Sequence, residues 1–170
     1  MSFSDQFFGT IAAVGFLLAL IVHGMTFAHV DVIEAYPGVW LLHVGIFLVV
    51  LPFVVASRAT FGGRPSLAQI GSLLPRWARI LLAVVGAYAF INFALFFYLS
   101  EGGAPDIRGG RFVLHNHGTV IRELSEQEYQ LQRAYIARGF SGHWLFFYLA
   151  PALYFLCRRT PQPPISEAAP

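Results

Sequence analysis

Four apolar runs, each nearly free of charge, constrain this chain more than any other feature of its sequence. They cover about residues 7–30, 39–56, 80–99 and 140–157. An α-helix rises 1.5 Å per residue, so ~20 residues cross a ~30 Å hydrocarbon layer. Lipid offers the backbone no hydrogen-bond partner, which requires each crossing to be helical. Charged residues fill only 12% of the 170 positions and hydrophobic residues 56%, a balance too greasy for a small soluble domain. The expected fold is an all-α integral membrane protein. It would be a four-transmembrane-helix up-down bundle over 1–159, with a small extracytoplasmic hairpin-plus-helix cap at 100–138. The lipid bilayer is its first partner. Residues 160–170 hold four of the ten prolines and read as a disordered cytoplasmic tail.

Orientation follows from arginine, which supplies all eleven basic residues. Arg58, Arg64, Arg76 and Arg79 lie between the second and third runs with no acid among them, and Arg158 and Arg159 follow the fourth. The positive-inside rule puts both termini and the 57–79 link in the cytoplasm and the 100–138 link outside. The outer link balances Arg108, Arg111, Arg122, Arg133 and Arg138 against five acids, which suits a folded segment. The first run is too long for a cleaved signal and has no basic start, so it reads as a retained anchor. The all-arginine base set, with abundant Ala, Gly and Pro, suggests a GC-rich bacterial genome and so a bacterial inner membrane. A net charge of +2 is too weak to argue for nucleic acid. A single cysteine, Cys157, excludes an intrachain disulfide framework and a multi-cysteine metal site.

Within the outer link, residues 111–115 and 119–123 favour strands, and Asn116-His117-Gly118 between them accepts positive φ, which predicts a hairpin. Ser125 and Glu128 form a capping-box pattern. A helix should run from about Glu126 to Arg138, stop at Gly139 and give way to an inward turn near Gly142. Pro52 and Pro151 should kink their helices. Small residues on the first helix (Gly9, Ala12 or Ala13, Ala19) and the third (Ala83, Gly86 or Ala87, Ala94) should allow close helix contact. Trp40, Tyr98 and Trp144 fall at the outer interface and Trp77 at the inner one, as an aromatic belt. The segments Gly38-Val39-Trp40 with His43, and Gly142-His143-Trp144, form a faint internal echo.

Polar groups inside the apolar runs are few: His23, Thr26, His43, Asn92 and His143. Such groups are costly in hydrocarbon and default to functional hypotheses. All six histidines fall on the outer side or in the outer leaflet. His23 and His43 lie at similar depth on helices joined by a short link, so they are the candidate cofactor-binding pair, as axial ligands of a haem b. Gly24 and Gly45 nearby would admit a flat macrocycle, and Arg108 and Arg111 would neutralise its propionates. For a bare transition metal, His23, His43 and His143 would supply three nitrogens. Four crossings with membrane histidines are similar in architecture, with no shared motif, to the small bacterial cytochrome b membrane proteins, and that resemblance implies haem. No nucleophile, phosphate-loop or His-Glu-x-x-His motif is present. The leading expectation is a small scaffold or accessory subunit that meets a membrane or extracytoplasmic protein partner through its cap. The redox or metal-binding protein is the alternative.

Overall fold

The computed structural model describes residues 2–159, so the expected tail at 160–170 lies outside the described residues. Six α-helices and a three-stranded sheet follow one another. They are α1 (Phe3–Phe27), α2 (Val32–Ala35), α3 (Trp40–Phe61), α4 (Leu67–Ser72), α5 (Arg76–Leu99), β1 (Ala104–Arg108), β2 (Arg111–Asn116), β3 (Thr119–Glu123) and α6 (Glu126–Cys157). A short 3₁₀ turn, Pro37–Val39, leads into α3. Helices α1, α3 with its 3₁₀ turn, α5 and α6 are long and apolar enough to cross a membrane.

The fold is organised around α6. In its most apolar stretch 61% of residues are buried, against 28%, 17% and 11% for the stretches in α1, α3 and α5. The three other long helices all pack on it, and α1 also touches α3. Their directions alternate. Asp5 at the start of α1 takes a two-oxygen contact from Arg158 Nη2, beyond the end of α6, at 2.9 and 3.0 Å. Tyr148 and Tyr154 of α6 meet Leu42 and Thr60 of α3 in the same order, so these two helices run parallel. Asn92 of α5 meets the Arg138 carbonyl, while Ala78 packs with Leu149 and Leu153, so α5 runs against α6.

The contact face of α1 is made of small and polar residues: Asp5, Gly9, Ala12, Gly15, Ala19, His23 and Thr26. Their spacing of three and four keeps them on one face. Phe7, Ile11, Val14, Leu17, Leu18 and Ile21 point outward. A side-chain carbon on Gly9 would strike Leu156, and one on Gly15 would strike the Tyr148 ring. The α1 stripe expected from sequence is therefore the packing face. On α5 the expected stripe is displaced. Ala83, Ala87 and Ala94 are exposed, and the contact residues are Ala78, Ala89 and Asn92, with Gly86 against Phe146.

Two expectations for the outer segment need correction. The fold is not all-α, because the hairpin is part of a three-stranded antiparallel meander, β1-β2-β3. Both of its turns are two-residue loops with positive φ throughout, Gly109-Gly110 and His117-Gly118, as right-handed strand twist requires. The cap helix does not stop at Gly139 either: α6 continues unbroken from Glu126 to Cys157. Gly139 and Gly142 lie inside it because α5 comes close there. A carbon added to Gly139 would sit 2.6 Å from Phe96, and one on Gly142 would strike the Asn92 amide. Pro52 and Pro151 also lie inside continuous helices. The sheet packs on the upper part of α6 through Phe112, Leu114, Leu124 and Tyr129.

Overpacking a tight helix contact costs about 1–3 kcal/mol. Gly139→Val should destabilise the purified protein by about that amount in denaturant titrations. Gly24 has open space around it and lies in α1, so Gly24→Ala should stabilise by about 0.5–1 kcal/mol through helix propensity. Equal responses from the two variants would contradict the packing assigned here.

Candidate functional site

The half of the bundle nearest the sheet holds two separate groups of polar side chains, one around His23 and one around His43 and His143. In the first, His23 is 4% exposed and bridges α5 and α6. Its Nδ1 lies 2.8 Å from Ser141 Oγ, and its Nε2 bonds the Tyr88 hydroxyl. Ser141 donates to the Ala137 carbonyl at 2.7 Å. With that hydroxyl proton committed, Nδ1 carries the ring proton and donates to Ser141, and Nε2 accepts from Tyr88. Beside this chain, Thr26 donates to the His23 carbonyl at 2.7 Å. Arg138 Nη2 donates to the Thr26 carbonyl at 2.8 Å, and Asn92 Nδ2 to the Arg138 carbonyl at 3.0 Å. The network thus joins α1, α5 and α6 at one level.

Histidine beside serine is also the pairing of a general base with a nucleophile. Here Ser141 has no exposed surface and its proton is on a helix carbonyl. Ser141 therefore ties helices together, as interhelical hydroxyls do in bundles.

The second cluster joins α3 and α6. The His43 and His143 rings lie 5.9 Å apart, centre to centre, and Trp40 and Phe140 pack against His43. The buried Trp144 donates from Nε1 to His43 Nδ1 at 2.9 Å, so it belongs to the interior and not to the outer aromatic belt. His143 Nδ1 faces the Gly139 carbonyl at 3.2 Å. The two echoing segments of sequence are therefore neighbours in space. His143 also faces an apolar recess of about 410 Å³ with Phe90, Phe93 and Phe147.

Of the candidate ligands, the structure brings His43 and His143 together and places His23 in the other cluster with both ring nitrogens occupied. Among the described residues no three His, Cys, Asp or Glu side chains are grouped to hold a metal ion. The space beside Gly45 is filled by the Tyr148 hydroxyl. Arg108 and Arg111 are paired within the cap, with Asp106 at 3.1 Å and Glu123 at 2.7 Å. Three members of the first cluster escaped the sequence reading: Tyr88, Arg138 and Ser141. Tyr88 carried a signal, because a tyrosine halfway along an apolar run, far from either interface, needs a buried partner for its hydroxyl.

The cap is stitched to the bundle by charge. Arg122 bonds Glu101 at 2.9 and 3.1 Å and Glu128 at 2.7 Å. Arg133 pairs with Asp31, whose other oxygen caps α2. Hydrogen bonds from Arg122 hold the Glu101 carboxyl below its ordinary value, and that acid in turn raises Arg122. No family model matches the chain, and neither curated proteins nor solved structures contain a match.

Two measurements test these networks. Interhelical hydrogen bonds in bilayers average about 0.6 kcal/mol. A double-mutant cycle of His23→Phe and Tyr88→Phe should therefore give about 0.5–1.5 kcal/mol of coupling, and additivity would mean that the bond is absent. For Glu101, a folded value below the ordinary 4.5 means that its contribution is complete above pH 4.5. It is lost as pH falls through the lowered folded value. Carbon-13 carboxyl titration should place the Glu101 midpoint below 4.5 and move it upward in Arg122→Gln.

Proposed function

We propose that this is a multi-pass membrane protein with both termini cytoplasmic, in a bacterial inner membrane. It acts as a small scaffold or accessory subunit and meets a membrane or extracytoplasmic protein partner through its cap. One observation carries the reading. The helix on which the whole bundle packs is the same helix that carries the sheet, so a partner seated on the cap is rigidly coupled to the membrane segment. The outward faces of α1, α3 and α5 carry large apolar side chains, which suits a hydrocarbon setting. The distribution of arginine supports the orientation. Arg108, Arg111, Arg122 and Arg133 on the outer side are all ion-paired. Arg58, Arg64, Arg76 and Arg79 form no ion pair among the described residues. The cap also shows Ile107 of β1, and Val120 and Ile121 of β3, to solvent on the two opposite edge strands of the sheet, and a partner could cover the β3 pair.

The second cluster favours an alternative reading as a haem b or metal-binding protein. The His43 and His143 rings are adjacent. His143 Nδ1–H donates to the Gly139 carbonyl, which leaves its Nε2 lone pair free for a metal; His43 accepts from Trp144 on Nδ1, so its Nε2 carries the ring proton and it would ligate only after giving up Trp144. His23 would join them only after leaving Ser141 and Tyr88.

Reporter fusions at residues 68 and 116 should read opposite sides, and a cytoplasmic 116 overturns the orientation. Photocrosslinkers placed in cells at Val120 and at Leu48 should give a discrete protein adduct only from Val120. A Val120 position that captures nothing would remove the scaffold reading. A Soret band, or one equivalent of metal lost in His43→Phe and His143→Phe together, would replace it with the alternative.

A further inference from the structure

Arg138 differs from the other outer arginines in having no acidic partner among the described residues. It lies in the first cluster, against a crevice of about 140 Å³ between the end of α1, α5 and α6. Tyr88, Asn92, Ile91, Leu95 and Phe96 form the α5 wall, with Phe27 opposite. From Tyr88 to Leu99 that wall is about 16 Å long by helix rise. The Arg138 guanidinium stacks on Phe27 at 4.3 Å. It gives one N–H from Nε to Thr26 Oγ1 at 3.4 Å and one from Nη2 to the Thr26 carbonyl at 2.8 Å. Of its five N–H groups, three find no acceptor among the described residues, including both on Nη1.

A cation held part-way down a largely apolar wall, with unused donors on the free end of its fork, calls for an anion that arrives with its own apolar body. Planar carboxylate matches that fork with two parallel hydrogen bonds. The space amounts to roughly five waters. It has room for a carboxylate and its first methylenes, and little room beside them for the branched glycerol of a two-chain lipid. Building on the membrane reading, we propose that the crevice binds the carboxylate of a single-chain fatty acid. The head sits on Arg138 and the chain runs along Ile91, Leu95 and Phe96 into the surrounding hydrocarbon. In this arrangement the anion neutralises a charge that would otherwise face lipid unpaired. It also adds a third element to the contact between α1 and α6.

The test uses full-length protein purified in a non-ionic detergent, delipidated, and examined by native mass spectrometry. Palmitate, phosphatidylglycerol and phosphatidylcholine are offered separately at equal concentration. One palmitate per chain should be retained, with an affinity at least about tenfold above phosphatidylcholine, the scale of charge-assisted hydrogen bonds. Arg138→Gln should lose that preference. Because Arg138 also ties down α1, a second variant guards against a folding artefact. Ile91 is 57% exposed, so Ile91→Trp should fill the crevice, leave the thermal melt unchanged and weaken palmitate about tenfold. Equal retention of palmitate and phosphatidylcholine, preference for phosphatidylglycerol, or full palmitate binding by Ile91→Trp would each overturn the proposal. Protein that stays monodisperse with no amphiphile present would instead sink the membrane reading, whatever palmitate does.

Discussion

Close approach of α6 to its neighbours is the constraint on which the rest depends. Burying a large apolar side chain stabilises a helix pair in water, yet gains little between helices that are already surrounded by hydrocarbon. The proposed bilayer setting therefore leaves dispersion contacts and interhelical hydrogen bonds as the cohesive terms. The residue distribution answers that requirement. Gly9, Ala12, Gly15 and Ala19 let α1 settle on Tyr148 and Phe155, while the bulky residues of α1 face away. The same logic puts Gly139 and Gly142 where Phe96 and Asn92 of α5 arrive. Remove the small residues and the polar pairs lose their reach, because His23 meets Ser141 and Tyr88 only when three helices are close.

That logic also marks where sequence reasoning holds and where it fails. The long helices are legible because length and hydropathy are properties of single segments. So is the β2–β3 turn, since Asn116-His117-Gly118 accepts the backbone geometry it needs. The α1 stripe is legible because Gly9, Ala12, Gly15 and Ala19 recur at spacings of three and four and so share one face. On α5 small residues occur on several faces, and only the position of α6 selects Ala89 and Gly86 over Ala83 and Ala94. Gly139 reads locally as a stop signal, and its use in packing becomes visible only beside Phe96. Strand β1 was hidden by Pro105 and Asp106, residues that disfavour strands. They are tolerated at a sheet edge, where β1 pairs only with β2.

The histidines repeat the lesson at the level of chemistry. Similar depth and a short connecting link bring His23 and His43 together on paper. Rotation about the helix axis decides otherwise. His23 points to the α5–α6 side, and His43 turns to Trp144 and His143. Depth is encoded in sequence position, whereas azimuth is set by the neighbour a helix selects.

Arginine joins the two halves of the molecule into one argument. Counted as bare charges, the five outer arginines weaken a positive-inside assignment. Four of them form ion pairs within the cap or between the cap and α2, and the fifth, Arg138, is held on Thr26. Local acids thus offset most of the outer positive charge, while Arg58, Arg64, Arg76 and Arg79 sit in a link without a single acid. The asymmetry that orients a membrane protein acts on charge left uncompensated near a membrane. The proposed orientation rests on that contrast: a cap closed by its own salt bridges at one end of the bundle, and a basic link without acids at the other.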